Sequence, residues 1–136
     1  MDILELIETA KKASLKAYAP YSRFAVGASL LTKNGQYYFG CNIENASYGL
    51  SNCAERTCLF TAYANGIKKE EIIAFCVYSP KEHIISPCGA CRQVMAELLP
   101  LNCPIVLAYG KNGEYQKTTV KELLPLSFTN EDLKND

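Results

Sequence analysis

The segments Cys53-Ala-Glu-Arg-Thr57 and Pro87-Cys-Gly-Ala-Cys91 form the most informative pattern in this chain. They supply three thiols and one carboxylate, that of Glu55. The thiols belong to Cys53, Cys88 and Cys91. Three thiolates can fill three corners of a tetrahedral zinc site, and a catalytic zinc site keeps its fourth position open. The pattern therefore predicts one zinc ion per chain, with Glu55 close to the open position but not bound to the metal.

A Cys-x-x-Cys pair alone would be ambiguous, because redox pairs, halves of structural zinc sites and unrelated buried thiols share the spacing. Here each half of the pattern is followed by an apolar helical stretch, 57–64 in one case and 93–99 in the other. The combination Cys-x-Glu…Pro-Cys-x-x-Cys is typical of zinc-dependent nucleobase deaminases. The combined motif therefore favours a catalytic zinc site over the other interpretations.

Four segments follow one another along the chain: Tyr18-Ala-Pro-Tyr-Ser-Arg-Phe-Ala-Val-Gly-Ala28, Gly40-Cys-Asn-Ile-Glu-Asn-Ala46, Cys53-Ala-Glu-Arg-Thr57 and Ser86-Pro-Cys-Gly-Ala-Cys-Arg-Gln93. In this order they resemble the motifs of the cytidine deaminase family, in its short bacterial form that acts on free nucleosides. The resemblance runs from the first helix to the Glu-Leu-Leu-Pro segment at 122–125. No motif position departs from the family pattern.

Length and charge restrict the class of protein. The 136 residues suffice for one domain, predicted to span 1–136, and 49% of them are hydrophobic, enough for a real core. Fourteen basic residues balance fourteen acidic ones, so the chain lacks the positive field that nucleic-acid binding normally needs. No apolar run approaches the roughly 18 residues of a membrane span, and no secretory signal is recognised. We therefore expect neither a nucleic-acid nor a membrane partner.

Seven cysteines without an export signal indicate a reducing compartment and predict a cytoplasmic protein. Four of them lie outside the zinc motif in apolar contexts: Cys41, Cys58, Cys76 and Cys103. We expect these four to be small core residues, because a free cysteine behaves as a small hydrophobe. The single histidine, His83, lies in a polar loop and is expected at the surface.

Periodicity predicts alternating helices and strands, and hence an α/β layered fold. A helical pattern begins near Ile3 and continues until Pro20, and further helices are predicted from Cys53, up to Pro100 and over 120–124. Strands are predicted at 24–32, 36–44, 72–78, 105–109 and 115–119, with hairpin turns at Asn34-Gly35 and Asn112-Gly113. The resemblance implies a five-stranded mixed sheet in a three-layer α/β/α arrangement, with the two metal-bearing helices side by side on one face.

The resemblance also implies hydrolytic deamination of cytidine and 2′-deoxycytidine to uridine and 2′-deoxyuridine with release of ammonia, a step of pyrimidine salvage. Water activated by the metal attacks C4, and Glu55 shuttles the protons. Three thiolates would weaken zinc as a Lewis acid. We expect the helix starts at Cys53 and Cys88, together with hydrogen bonds from Arg56, to compensate for their charge.

The substrate residues are predicted mainly from the second motif. Asn42 and Glu44 lie two apart on a predicted strand and would face the same way, although polar residues are common on exposed strand faces. The resemblance assigns this pair to the sugar 3′-hydroxyl, and it adds Phe24 and Ala54 to the substrate-binding set. Phe24 would pack against the nucleoside.

Two alternatives remain open at this stage. One is a deaminase of another small aminated heterocycle, such as a blasticidin-type antibiotic, and the other is a non-catalytic, zinc-stabilised binding module. The resemblance further implies a homotetramer whose active sites are completed across subunit contacts. Tyr48, in a loop near the site, and Phe128, an aromatic residue in a polar tail, are the candidates for reaching a neighbouring site.

Overall fold

A computed structural model describes residues 1–133 of the chain. Its five strands are β1 (Gly27–Thr32), β2 (Tyr37–Cys41), β3 (Ile72–Ser79), β4 (Pro104–Tyr109) and β5 (Glu114–Thr119). They form one sheet in the order β2-β1-β3-β4-β5. Strands β3 and β4 are parallel, and the other three neighbouring pairs are antiparallel. The predicted five-stranded mixed sheet is confirmed.

Helices cover both faces of this sheet. They are α1 (Ile3–Ser14), α2 (Ala54–Ala64), α3 (Gly89–Leu98) and α4 (Val120–Leu123). Short 3-10 turns cover Tyr48–Leu50, Lys69–Glu71 and Asn130–Leu133. Buried residues of α1 pack with one face of the sheet, whereas those of α2 and α3 share a second cluster on the opposite face. The three-layer arrangement, with both metal-bearing helices on one side, is therefore confirmed.

Helix α1 ends earlier than its sequence pattern predicts. It begins at an N-cap, where the Asp2 carboxylate accepts a hydrogen bond from the Glu5 amide at 3.2 Å. It ends at Ser14 rather than near Pro20. Beyond it, the backbone amide of Tyr18 donates to the Asn42 carbonyl at 3.0 Å, and the backbone carbonyl of Tyr18 accepts from the Glu44 amide at 2.8 Å. These long-range backbone bonds replace the helical bonds that the pattern predicted.

The first two strands are also shorter than predicted. Strand β1 starts at Gly27 rather than at residue 24, and strand β2 ends at Cys41 rather than at residue 44. The side chain of Asn42 explains the difference. Its carbonyl oxygen accepts from the Val26 amide at 2.9 Å, and its amide nitrogen donates to the Phe24 carbonyl at 2.8 Å. Because a side chain takes these backbone partners, the regular ladder stops there. Asn42 and Glu44 therefore lie just beyond β2, and the prediction that they sit on a strand is wrong.

Two glycines let the helices approach the sheet closely. A Cβ atom at Gly27 would overlap the Ala10 carbonyl oxygen of α1. A Cβ atom at Gly40 would lie 2.5 Å from the Cys58 amide nitrogen of α2. Helix α2 can therefore lie against β2 only because residue 40 has no side chain. This contact fixes the helix whose first residues belong to the metal motif.

The central strand β3 is buried on both faces, as its continuous apolar run predicts. Phe75 belongs to the cluster under α2 and α3, and Cys76 to the cluster under α1. Cys58 and Cys103 are buried too, as expected, but Cys41 is only half-buried and is not a core residue. His83 is exposed. Within residues 1–133, the helices are too short or too polar to cross a membrane.

Candidate metal centre

The sulfurs of Cys53, Cys88 and Cys91 lie within 4.8 Å of one another. Cys53 is the N-cap of α2, Cys88 is the N-cap of α3, and Cys91 lies in the first turn of α3. The Cys53 and Cys88 sulfurs are 4.0 Å apart. Tetrahedral zinc with Zn–S bonds of about 2.3 Å sets its sulfur ligands about 3.8 Å apart. The cluster therefore fits one zinc ion with only small adjustments, as predicted.

Cys53 and Cys88 occupy N-cap positions, although neither sulfur accepts a capping hydrogen bond from the helix backbone. The positive end of the helix dipole at such a position favours thiolate over thiol. The pKa of Cys53 is lowered to about 5, first by a hydrogen bond from Cys91 and also by the Arg56 guanidinium. The same hydrogen bond raises the pKa of Cys91 well above its ordinary range, and burial adds to that shift. Binding of a metal by all three sulfurs is therefore expected to release protons.

Arg56 lies beside the cluster, in the first turn of α2. Its Nη2 donates to the Cys53 sulfur at 3.4 Å. Its Nε is buried and has no hydrogen-bond partner. Among residues 1–133 it is the one buried side-chain nitrogen or oxygen without a partner. The pKa of Arg56 is raised, first by its hydrogen bond to Cys53 and also by one to Cys91. This position agrees with the predicted compensation of thiolate charge.

Glu55 is buried beside the sulfurs, with 5% of its surface exposed. Burial disfavours the charged carboxylate and raises its pKa to about 6, and the nearby Cys53 adds a repulsive contribution. A carboxyl group with a pKa near the working pH can both take and give a proton. Glu55 is therefore a buried carboxyl group beside the cluster, with a pKa in the range that allows proton exchange.

A cavity of about 320 Å³ opens onto Glu55 and two of the cysteines. Its volume lies within the roughly 300–1,000 Å³ of small-molecule sites. The cavity is lined by Ser22, Phe24, Val26, Asn42, Glu44, Cys53, Ala54, Glu55, Val77, Ile85, Ser86 and Cys88. The fold thus gathers, in one cavity, the predicted catalytic residue, two predicted ligands and four predicted substrate residues. Apolar side chains form one part of the wall, and polar side chains form another.

Hydrogen bonds join two polar side chains of the cavity, Asn42 and Glu44, to the loop 21–26. One carboxylate oxygen of Glu44 accepts from the amides of Tyr21 at 3.0 Å and Ser22 at 3.1 Å, and the other accepts from the Ser22 hydroxyl. These bonds, those from Ser22 first, lower the pKa of Glu44. Asn42 bonds the same loop through Val26 and Phe24. Each side chain keeps further hydrogen-bonding capacity, since a carboxylate accepts about four bonds and an amide group offers two N–H donors.

A second cavity, of about 370 Å³, adjoins the first and shares Ser22 and Glu44 with it. Tyr48 lines this cavity with its ring edge-on to Tyr21, the ring centroids 6.2 Å apart. Tyr48 is 77% exposed. Phe128 is not among the described residues that line either cavity. It is exposed, and its backbone carbonyl accepts a hydrogen bond from the Gln93 side chain at 2.8 Å.

Several residues of the site were not identified from the sequence. Ser22 and Ser86 lie inside the quoted motifs, so the motif positions could have indicated them. Val77 and Ile85 carry no such signal, because their place in the wall depends on how the strand and the following loop meet the helices. Lys81 lies next to the site but is not among the residues that line the cavity, and its ammonium group is 5.3 Å from the centre of the Phe24 ring.

Comparisons with known proteins agree with this geometry. The model of the family described as "Cytidine and deoxycytidylate deaminase zinc-binding region" matches residues 2–117. A cytidine deaminase of Halalkalibacterium halodurans is 51% identical, over 99% of this chain and 100% of that protein. The crystal structure of cytidine deaminase from Burkholderia pseudomallei superposes with a TM-score of 0.90 at 51% identity, and covers 94% of this chain and 100% of that one.

A blasticidin-S deaminase of Bacillus cereus is also similar, at 30% identity over 93% of this chain and 91% of that protein. Its identity is well below that of the cytidine deaminases just described. The comparison therefore favours cytidine deaminases over the blasticidin-type alternative.

Proposed function

The chain belongs to the cytidine and deoxycytidylate deaminase family, and from that premise we propose that it is a zinc-dependent enzyme acting on cytidine and 2′-deoxycytidine. It hydrolyses them to uridine and 2′-deoxyuridine with release of ammonia. The observation that carries the proposal is the meeting of three cysteine sulfurs with a buried glutamate at one end of a nucleoside-sized cavity. A non-catalytic zinc module would have no use for a buried carboxyl group at that point.

Cys53, Cys88 and Cys91 would hold the zinc ion, which would supply a Lewis acid that makes water nucleophilic at neutral pH. As the water oxygen adds at C4, Glu55 takes one proton from that water and delivers it to N3 of the pyrimidine. Glu55 then takes the remaining proton from the new hydroxyl group on C4 and delivers it to the amino group. The C4–N bond breaks, ammonia leaves and the C4–O double bond forms. One carboxyl group can serve both transfers because burial brings its pKa to about 6.

The remaining lining residues orient the substrate. Phe24 and Val77 contribute apolar wall for the pyrimidine ring, and Ala54, buried beside Cys53, keeps the approach to the sulfurs narrow. Asn42 and Glu44 present the free N–H and lone pairs that sugar hydroxyls need. Together these contacts hold C4 near the metal, so that orientation contributes to the rate.

A nucleoside suits this cavity better than a nucleotide. The described residues that line the two cavities include the Glu44 carboxylate but no lysine, arginine or histidine. A phosphate near Glu44 would be repelled by a like charge. We therefore expect cytidine monophosphate and free cytosine to be poor substrates, the latter because it lacks the sugar that Asn42 and Glu44 bind.

The test is to mix zinc-loaded protein with cytidine and follow the ultraviolet change on conversion to uridine. Deoxycytidine, cytidine monophosphate, cytosine and blasticidin S are assayed in parallel. Efficient turnover of the two nucleosides supports the proposal. Equal efficiency on cytidine and its monophosphate would exclude the nucleoside-specific site, and a preference for blasticidin S would favour the alternative substrate.

We propose further that four chains assemble and complete one another's sites. Tyr48 and Phe128 are 77% and 58% exposed, and Leu126, two residues before Phe128, is fully exposed. Exposed aromatic and aliphatic side chains such as these are candidates for contact with another chain. Contact with a neighbouring chain would bury these side chains at the mouth of the second cavity.

Complementation between two inactive chains tests the shared site. Glu55→Gln protein is mixed with protein truncated before Phe128, and hybrid assembly is verified by native mass spectrometry. Recovered activity is expected, because a mixed site can combine an intact Glu55 with an intact tail from another chain. Hybrids without activity would mean that each site is built from a single chain.

A cytoplasmic location and a role in pyrimidine salvage accompany this proposal. All seven cysteines are free thiols, and three of them must remain reduced to bind zinc. A reducing compartment meets that need. Cell fractionation with an antibody against the chain would test the location, and growth of a pyrimidine-requiring strain on cytidine would test the role.

A further inference from the structure

The three sulfur ligands differ in what holds them. Cys91 is fully buried within α3, and Cys53 is half-buried with the Arg56 guanidinium 3.4 Å from its sulfur. Cys88 is exposed and joins the loop after β3 to the start of α3. Burial therefore holds the Cys91 side chain in place, and partial burial together with the Arg56 guanidinium holds that of Cys53. Neither applies to the exposed Cys88, so its position has to be held by other contacts.

Arg92, one helical turn beyond Cys88, supplies that constraint from both sides. Its backbone amide donates to the Cys88 carbonyl at 2.9 Å. Its side-chain Nε donates to the Pro87 carbonyl at 2.7 Å. These two carbonyls belong to the peptide groups that flank the Cα atom of Cys88. With both groups held by one residue, the backbone angles of Cys88, φ −67° and ψ 167°, have little freedom to change.

The rest of the Arg92 guanidinium reaches two further acceptors. Nη2 donates to the Ser86 hydroxyl at 2.5 Å, and Nη1 donates to the Leu123 carbonyl of α4 at 2.8 Å. Ser86 lines the cavity. The planar guanidinium offers several donors in fixed directions, so three acceptors from two segments, 86–87 and α4, are held in one geometry. Arg92 thus connects the end of α4 to the peptide group before Cys88 and to the cavity wall.

We propose that Arg92 is a positioning residue that holds Cys88 in place for the metal centre, and Ser86 in place in the cavity wall, by anchoring the segment 86–88 to α4. The proposal uses Cys88 as a zinc ligand, and its effect on catalysis rests on the proposed deaminase function. Arg92 acts through the backbone of a ligand, whereas Arg56 acts on a sulfur.

The test compares Arg92→Met with Arg92→Lys and with Lys121→Met, which removes an exposed positive charge from α4. Zinc affinity is measured without substrate, by competition with a chromophoric chelator. Loss of an outer-shell contact typically weakens metal binding by about 10- to 100-fold. We expect a weakening of that order for Arg92→Met and a smaller one for Arg92→Lys, whose ammonium group can still donate to part of the acceptor set. Lys121→Met should bind zinc like the unmodified protein.

Thermal unfolding of the metal-free proteins separates positioning from general destabilisation. If Arg92 positions Cys88, zinc should raise the Tm of Arg92→Met by less than it raises the Tm of the unmodified protein. This reduction should be larger than the drop in Tm that the substitution causes in the metal-free protein. Unchanged zinc affinity, or a loss explained entirely by a lower metal-free Tm, would overturn the proposal.

A third variant, Ser86→Ala, should raise KM for cytidine while its zinc affinity stays the same. A drop in its zinc affinity equal to that of Arg92→Met would also contradict the assignment.

The two proposals can fail separately. Zinc affinity is measured without a substrate, so it tests Arg92 whether or not the enzyme deaminates cytidine. An unmodified protein that binds zinc tightly but leaves cytidine unchanged would refute the proposed function and leave the Arg92 result intact.

Discussion

The two ends of the cavity are built in different ways. The metal end, formed by Cys53, Glu55, Cys88 and Cys91, lies at the starts of two helices that pack on the buried face of the sheet. The other end, which we propose binds the sugar and call the sugar end, is formed by loop 21–26 with Asn42, Glu44 and Tyr48. It consists of partly exposed segments joined by hydrogen bonds from side chain to backbone.

This difference follows from what each end has to do. Metal ligands and a proton-transferring group must keep their geometry within a fraction of an ångström, and packed helices hold side chains more precisely than loops do. Sugar recognition depends on polar contacts that can be exchanged when substrate enters, and loops on a rigid scaffold are suited to that purpose. The metal end should therefore fail abruptly when altered, and the sugar end gradually.

Removal of a ligand should have the largest effect. Each of Cys53→Ala, Cys88→Ala and Cys91→Ala is expected to lose stoichiometric zinc and to lower deamination to background, because two remaining sulfurs cannot hold the ion in place. Elemental analysis and the cytidine assay measure this, with Cys41→Ala as the matched control outside the cluster. Full zinc content in both Cys53→Ala and Cys88→Ala would refute the three-sulfur site.

Glu55→Gln should come next, because it removes chemistry but leaves the metal site intact. We expect zinc content and fold to be retained while kcat falls by about 10²- to 10⁴-fold, the usual contribution of general acid–base catalysis. Since Glu55 is proposed to serve two transfers, the loss should lie toward the upper end. A variant with a tenth of the original kcat would exclude Glu55 as the proton carrier.

Glu44→Gln tests the sugar end and should have a smaller effect. The substitution replaces hydrogen bonds to a charged group with weaker bonds to a neutral amide, so kcat/KM for cytidine should fall by roughly 10- to 100-fold, mainly through KM. Zinc affinity should not change, because the Ser22 and Tyr21 contacts lie at the other end of the cavity. If zinc binding weakened in parallel, the two ends would not be independent.

A pair of glycine substitutions should give the smallest effects and sharpen the contrast in packing. Gly40→Ala forces a methyl group against the α2 backbone, 2.5 Å from the Cys58 nitrogen, and should cost about 1–3 kcal/mol of unfolding free energy. Gly49→Ala, at the sugar end, meets open space. It should change stability by less than about 1 kcal/mol, in the stabilising direction. Urea denaturation measures both, and equal destabilisation would contradict a tightly packed metal end beside a loosely packed sugar end.

The types of the major elements could be predicted because their signals are local. The continuous apolar run at 72–78 and the turns at Asn34-Gly35 and Asn112-Gly113 depend on neighbouring residues, and the structure agrees with each. Element ends were predicted less well. Helix α1 stops at Ser14 and the first two strands are short because Asn42 and Tyr18 make bonds across the fold, and no local pattern contains such bonds.

The sequence by itself determined the donor set, the α/β class and the carboxyl group that we propose is catalytic. Three cysteines, a glutamate at fixed spacing and alternating periodicities carry that information in short stretches of chain. Only the tertiary structure decided that Val77 and Ile85 complete the wall, that Gly40 admits α2, and that Arg92 joins α4 to the peptide group before Cys88. These features depend on contacts between residues far apart in the chain, and such contacts exist only once the helices have packed on the sheet.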